Sequence, residues 1–525
     1  MSPTPPPGAG ARRPQGVFDV LENPVALAPD RQALVTRQAT LTYSEFDDLA
    51  DRAAGALYGL GARPGDRIAA SLPSDLDILA AFHGAMRLGA IWVGINRVLA
   101  TPEKLYMLED CGASLYLVEE TGDGSADARA GHELREKLDG RVELVETRTW
   151  REGVAGSIGR PDVAPPDPLA PAGIAYTSGT TGFPKGAVHC QAALLMPGAA
   201  TVARRQWDQR LRKGDSLPLT ILNMMVLTTL LTAQCGGTAV IIDQADVASI
   251  VRWIREHQVT VWNGPPAQLY TMVHDQSVLP GDLESLTEVW VGGGDCPDSL
   301  RLAFEERFGK PVSRTYGLTE SPALVSIDDL VGSKPSGTSG RPLDHISVRS
   351  QEGELVLSPT LDGPWAGSYR PMLGYWNRPD ATQESLHDGV LHTGDLGVLE
   401  GDGHLRVLGR KSHLIIRGGA NVYPAEVERV LSEAPGVQAC AVVGVPDERL
   451  GERVGAVIEP VTGQQPDPAE ILAHCRVALA SYKLPERLAF VDRLPRNQMG
   501  KIPRAAVAEI LSGPAAFATD DRMKQ

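Results

Sequence analysis

From residue 41 onward the apolar spacing switches repeatedly between a helical rhythm and short strand-like runs, and this alternation limits the folds open to the chain. "LTYSEFDDLADRAAGALYGLG" (41–61) has apolar residues three and four apart and a glycine stop at Gly61, the pattern of a helix. "DRIAASLP" (66–73) reads as a strand, "DLDILAAFHGAMRLG" (75–89) as a helix and "AIWVGIN" (90–96) as a strand. Further strands are expected at 114–120, 237–243, 259–264 and 288–294, with helical segments between them. Such alternation implies largely parallel sheets with helices on their faces. Several of these strands run into glycine-rich turns, and ligand sites in such sheets gather at the carboxyl ends of strands.

The texture changes near residue 341. "GELVLSPTL" (353–361) and "HLRVLGR" (404–410) read as strands joined by Gly/Asp turns. A compact α+β unit follows, with a helix from Pro424 to about Ser432, strands "QACAVVGV" and "RVGAVIEP", and a helix from about Pro468 to Ala480. The expected organisation is a disordered leader (1–20), a large N-terminal domain (21–409) and a C-terminal domain (410–525). The last comprises about 115 residues, within the usual domain range. The fold class is α/β and α+β.

With 525 residues the chain is too long for one core. The net charge of −15 and an aromatic content of 5% argue against a nucleic-acid surface. Six scattered cysteines without CxxC spacing fit reduced thiols in a cytoplasmic protein. Eleven histidines show no HExxH or paired metal spacing. The leader "MSPTPPPGAGARRPQG" has no apolar core and does not resemble a signal peptide. The most apolar stretch, 217–235, is interrupted by Pro218, Asn223 and Gln234 and reads as a buried helix, too short to span a membrane.

One loop carries chemistry on its face. "GIAYTSGTTGFPKGAVH" is a short apolar strand, a Ser/Thr/Gly turn and a return to apolar residues. Gly179 and Gly182 allow backbone N–H groups close to an anion. Thr177, Ser178, Thr180 and Thr181 offer hydroxyls, and Lys185 offers charge. The combination suits a phosphate. It is not a Walker A loop, because Pro184 stands five residues after Gly179 and Gly186 follows Lys185.

This loop resembles the signature of the adenylate-forming enzymes, which include acyl-CoA synthetases, nonribosomal adenylation domains and luciferases. Five later stretches resemble the family's remaining signatures in the same order: "YGLTE" (316–320), "GELVLSP…MLGYWNRPDAT" (353–382), "LHTGDLG" (391–397), "GRKSHLIIRGGANVYPAEVE" (409–428) and "LPRNQMGKIPR" (494–504). The resemblance runs from about 25 to about 510. It implies a large N-terminal domain of sheets and helices with a β-barrel-like subdomain, and a small mobile C-terminal lid.

The resemblance also implies roles. A carboxylate and ATP would give an acyl-adenylate and pyrophosphate, a reaction that needs cations and preorganised donors. Lys501 matches the lid lysine that bridges carboxylate and α-phosphate. Glu320 matches a Mg²⁺ ligand, Thr319 a contact to the α-phosphate, and Tyr316 with Gly317 and Gly294 the adenine slot. Asp395 and Arg410 match ribose contacts, and Lys185 with the 177–182 loop holds the leaving phosphates. Gly418 and Gly419 match glycines that border the pantetheine tunnel, where the alternative is a tight turn. Substrates and cofactors are then ATP, Mg²⁺ and coenzyme A, with an apolar carboxylic acid and a monomer or homodimer in the cytoplasm. A carrier protein loaded in trans is the alternative acceptor.

Two departures stand out. Ser412, followed by His413, occupies the hinge position where the family usually has Asp or Lys. After "LP" the chain reads Thr220, Ile221, Leu222 and Asn223 in place of an aromatic or His, and no acid is there to hold an amino-acid ammonium. Asn223, Met224, Met225, Val226, Trp262 and Gly292 are the candidate acyl pocket, with ordinary core filling the competing role for the Met pair.

Overall fold

The computed structural model describes residues 13–119, 133–177, 184–294, 296–496, 502–514 and 516–518. Among them the strands assemble into four sheets. The largest has nine strands, in the spatial order Arg341–Pro342, Ser326–Ile327, Val312–Tyr316, Glu288–Val291, Val261–Gly264, Arg212–Asp215, Thr238–Ile241, Gln32–Val35 and Thr40–Thr42. Its central strands, from Val312–Tyr316 to Gln32–Val35, run parallel, and antiparallel pairs close both edges. A seven-stranded sheet has a parallel body and an antiparallel edge, where Pro171–Thr177 pairs with Lys185–Cys190 and that strand with Gly374–Tyr375.

Local chemistry sets the helices that join these sheets. In Tyr43–Gly59, the Thr42 hydroxyl accepts from the Glu45 N–H and the Glu45 carboxylate accepts from the Thr42 N–H, a capping box that satisfies two end donors. Leu76–Leu88 is almost wholly buried and stops at Gly89 in the left-handed region. The two helices pack on each other, and one apolar core joins them to both sheets through Leu34, Ile241 and Val261 on one side and Ile68, Trp92 and Leu117 on the other. A second core on the opposite face of the nine-stranded sheet gathers Val240, Trp262, Val289 and the helices Val247–Glu256, Pro266–His274 and Asp298–Phe308.

The apolar stretch 217–235 is helical only in part. Residues 217–221 form an extended turn, because Pro218 cannot continue a hydrogen-bonded helix. Helix then runs from Leu222 to Cys235, with a wide π turn over Val226–Leu230. Among the described residues no helix is long and apolar enough to cross a membrane.

Beyond 341 the third sheet is antiparallel, built from Ile346–Gln351, Glu354–Pro359, Leu386–His387, Val390–Leu399 and Leu405–Arg410. Its core includes Ala187 and Leu318, so it is packed against both the Lys185–Cys190 strand and the segment after Tyr316. Lys411–His413 is a single 3-10 turn. The next strand, Ile415–Arg417, belongs to a fourth sheet of six strands with the helices Pro424–Ser432 and Pro468–Ala478 packed on it.

Candidate active site

Four sequence-distant segments meet where the parallel strands of the large sheet end. Tyr316 closes the strand Val312–Tyr316. Its hydroxyl donates to Asp395 Oδ2 at 2.5 Å. Arg410 Nε donates to Asp395 Oδ1 at 2.6 Å. The last contact follows from register, since Asp395 and Arg410 face each other across the antiparallel pair Val390–Leu399 and Leu405–Arg410. Asp395 is 4% exposed, while the Arg410 side chain is 45% exposed. Burial and then the Asp395 charge hold the Tyr316 phenol well above its usual pKa, so it stays a donor. Asp395, Arg410 and Tyr316 are thus one hydrogen-bonded unit. The expected adenine-side tyrosine is tied by its hydroxyl to the expected ribose carboxylate.

Glu320 forms the second unit. Its Oε1 accepts from the Tyr375 hydroxyl at 2.7 Å, and its backbone carbonyl accepts from the Met372 N–H at 2.8 Å. Tyr375 is fixed by strand pairing opposite Ala187. Burial and then the Glu320 charge raise the Tyr375 phenol pKa. Lys185 Nζ lies 5.4 Å from the centroid of the Tyr375 ring. Lys185 also sits opposite Thr177 at the end of the Pro171–Thr177 hairpin, so the two flank the loop expected from the sequence to hold phosphate. Ser178, Gly179, Thr180, Thr181 and Gly182 lie outside the described residues, as does Lys501.

His189 meets the backbone of the segment that carries both Tyr316 and Glu320. Its Nε2 lies 2.8 Å from the Thr319 carbonyl, which can only accept, so Nε2 carries the proton. Complete burial lowers the imidazole pKa to about 4, outweighing that hydrogen bond, and leaves the ring neutral. The strand beside the loop therefore holds the backbone of "YGLTE" in place. Gly317 is required here for space, because a Cβ would stand 1.7 Å from the Ala323 carbonyl oxygen.

Glu320 has the chemistry for a hard cation. It is a carboxylate with one oxygen engaged by Tyr375, and among the described residues no group of three His, Cys, Asp or Glu side chains competes for a metal. A single protein carboxylate with phosphate and water completing the shell is the habit of Mg²⁺.

The candidate acyl residues divide by sheet face. Met224, Met225 and Val226 are buried on the face shared by the two large sheets, and Asn223 is half-buried beside them. Trp262 packs on the opposite face, with Val240, Leu269 and Met272. The structure does not bring it to the group, because neighbouring residues of a strand point to opposite faces. Asn263 takes the place beside Met224, with Nδ2 3.9 Å from the Met224 sulfur. Gly292 and Gly294 follow the strand Glu288–Val291 at the same carboxyl edge.

Gly418 and Gly419 form the two-residue turn between Ile415–Arg417 and Ala420–Val422, with φ of +57° and +82°. Positive φ at both central positions is the demand of a tight hairpin turn, so the turn role is realised. Ser412 and His413 sit, exposed, in the single turn joining the third and fourth sheets.

Tyr375, His189 and Asn263 have no part in the sequence reading. Tyr375 lies inside "MLGYWNRPDAT", yet nothing in that stretch tells which residue it faces. His189 and Asn263 carry a weak signal, a polar residue in an otherwise apolar strand.

Residues 21–363 match the AMP-binding enzyme family, and residues 426–501 match the AMP-binding enzyme C-terminal domain. The chain is 33% identical to feruloyl-CoA synthase of Amycolatopsis sp, over 92% of this chain and 96% of that one. It is 31% identical to indoleacetate–CoA ligase of Aromatoleum aromaticum, over 94% and 97%. The solved o-succinylbenzoate coenzyme A synthetase of Bacillus subtilis, in complex with AMP, superposes with a TM-score of 0.79 at 28% identity, over 92% and 96%. With both regions matched and the relatives aligned along nearly their whole length, this chain belongs to the AMP-binding, adenylate-forming enzyme family.

Proposed function

We propose that this chain is an ATP-dependent acid–CoA ligase for an apolar carboxylic acid. A carboxylate oxygen attacks the α-phosphorus of ATP, the bond to pyrophosphate breaks, and an acyl-adenylate forms. The thiol of coenzyme A then attacks the acyl carbon, and AMP leaves. The relatives named for CoA-ligase activity support this class of reaction. The observation that carries the assignment of the site is the convergence of two carboxylates, Asp395 and Glu320, each gripped by a tyrosine from a different motif, beside Lys185.

In this reading Asp395 accepts from the ribose hydroxyls while Arg410 and Tyr316 hold its oxygens in place. Glu320 would hold Mg²⁺, which when bound neutralises phosphate charge. Thr319 is the residue whose hydroxyl would meet the α-phosphate, with its backbone carbonyl held by His189. Lys185 stabilises the departing pyrophosphate, and Lys501 the charge that develops on the α-phosphate. The domain division falls at 410, the monomer or homodimer acts in the cytoplasm, and Ser412 serves as the hinge, which needs only to absorb a backbone rotation.

The test is a pyrophosphate-release screen over fatty, aryl and alicyclic acids, with and without coenzyme A. Acid-dependent release followed by thioester and AMP is expected. Adenylate formation without consumption of coenzyme A, but with loading of a phosphopantetheinyl carrier protein, would replace the ligase reading with the carrier-loading one.

A further inference from the structure

The strand Arg212–Asp215 lies in the middle of the large sheet, yet it carries an ion pair that packing alone does not call for. The side chains of Lys213 and Asp215 are 0% and 1% exposed, and Lys213 Nζ donates to Asp215 Oδ2 at 2.8 Å. The same oxygen accepts from Thr228 Oγ1 at 2.7 Å. Thr228 belongs to the π turn Val226–Leu230, a local widening of a helix that often marks a functional position. Lys213 Nζ also lies 5.0 Å from the centre of the Trp290 ring, on which Trp207 is stacked.

The other carboxylate oxygen has no partner. Among the described residues nothing donates a hydrogen bond to Asp215 Oδ1, although the atom is fully buried. A buried polar atom left unsatisfied calls for a reason, since nearly all such atoms in folded proteins are paired. Lys213 uses one N–H on Asp215, and an ammonium has three. The network is therefore one donor short at Asp215 and has donors to spare at Lys213.

Its location supplies the reason. Asp215 ends its strand and is paired in register with Asn263, the residue that touches Met224. Both lie on the face that carries Met224, Met225 and Val261. Three strand spacings separate Asp215 from the strand of Tyr316 along the same carboxyl edge, or about 14 Å. That span suits an acid whose carboxylate is at the nucleotide and whose far end reaches the ion pair.

We propose that Asp215, with Lys213 and Thr228, forms the floor of the acyl pocket and selects an acid bearing a hydroxyl group at the end remote from its carboxylate. The proposal rests on the acid–CoA ligase reading. Charge decides the class of group. Lys213 already balances Asp215, so a distal ammonium would leave a buried excess of positive charge and a distal carboxylate an excess of negative charge. A hydroxyl is neutral, donates to Asp215 Oδ1 and accepts from a remaining N–H of Lys213. An acid with a bare methyl or phenyl end would bury the unpaired carboxylate oxygen against carbon. Sites built to bond a hydroxyl reject analogues that lack it far more strongly than apolar pockets reject a change in size.

The experiment uses matched pairs of acids, 4-hydroxyaryl against aryl and ω-hydroxy against unsubstituted medium-chain, with thioester formation as the readout. The wild-type protein should favour the hydroxylated member of at least one pair by on the order of 10²-fold or more in kcat/KM. The double variant Lys213→Met with Asp215→Leu replaces the pair by apolar groups of similar size, an exchange that folded proteins often tolerate. It should lose or reverse the preference while its thermal midpoint stays near that of the wild type. Thr228→Val should reduce the preference less, and it supplies the variant arm should the double variant fail to fold. Equal kcat/KM within about threefold for every pair in the wild type, as expected if Oδ1 merely binds a water, would overturn the proposal. So would a preference unchanged in the folded variants. Turnover of some acids without discrimination sinks this inference alone, whereas no thioester from any acid sinks the ligase reading and this inference together.

Discussion

Asp395 is where loss of a single side chain should read out in both stability and catalysis. Truncation by Asp395→Ala removes the charged acceptor of the Tyr316 hydroxyl and leaves it only the Thr393 side chain as a partner, at a cost of about 1–3 kcal/mol for a lost hydrogen bond to a charged group. It also breaks the pair with Arg410, but that side chain is 45% exposed and water screens it, so this part is about 0–1 kcal/mol. Folding stability should thus fall by roughly 1–4 kcal/mol. The effect on ATP is separate. Hydrogen bonds to an ionised acceptor contribute about 1.5–3 kcal/mol each, so losing the ribose contacts should raise the KM for ATP by about 10²-fold. Tyr316→Phe keeps the carboxylate and removes one donor to it, and should raise that KM by no more than about tenfold. The assay is initial-rate pyrophosphate release against ATP concentration, beside a thermal melt of each variant. A variant Asp395→Ala with a lowered melting point but a KM for ATP within twofold of the wild type would refute the reasoning. Asp395 would then be a link between two sheets and no ribose contact.

Four further outcomes are expected. Lys501→Ala should nearly abolish adenylation, by about 10²–10³-fold or more, while Lys185→Ala weakens it moderately; the reverse order in acid-dependent exchange would invalidate the two roles. Glu320→Gln should shift the Mg²⁺ concentration for half-maximal rate upward, and an unshifted titration would remove Glu320 from the metal site. Gly418→Val, at φ +57°, should strain the hairpin turn and slow thioester formation more than adenylate formation, which a comparison of pyrophosphate release with coenzyme A consumption would reveal. Burial lowers the His345 pKa from 6.5 to about 3, so the unfolded chain binds a proton between these values that the folded chain refuses. Stability should therefore fall as pH drops below about 6.5, and His345→Phe should flatten the pH dependence of chemical denaturation by about one proton.

How much of this was legible beforehand differs from residue to residue. The alternation of helix and strand is local, set by apolar spacing and end signals such as Thr42 with Glu45, and the expected helix at 41–61 appears as Tyr43–Gly59. The roles implied for Asp395, Glu320 and Lys185 came from stretches whose residue order is itself distinctive. Which partner each would have was not in those stretches. Asp395 meets Tyr316, and Glu320 meets Tyr375, only because three sheets are packed through the core around Ala187 and Leu318.

The same contrast governs the acyl side. Sequence patterning placed Trp262 in a strand but not on a face, and only the register that sets it opposite Gly214 and Val289 turned it away from Met224 and put Asn263 there instead. Nor does "RLRKGD" announce a buried ion pair, since a charge run is usually solvated. The sequence by itself determined the class of fold and the order of the chemical signatures, because both rest on short-range spacing. The tertiary structure alone decided which side chains share a hydrogen bond and which polar atom is left without one, because pairing and burial depend on contacts between residues far apart in the chain.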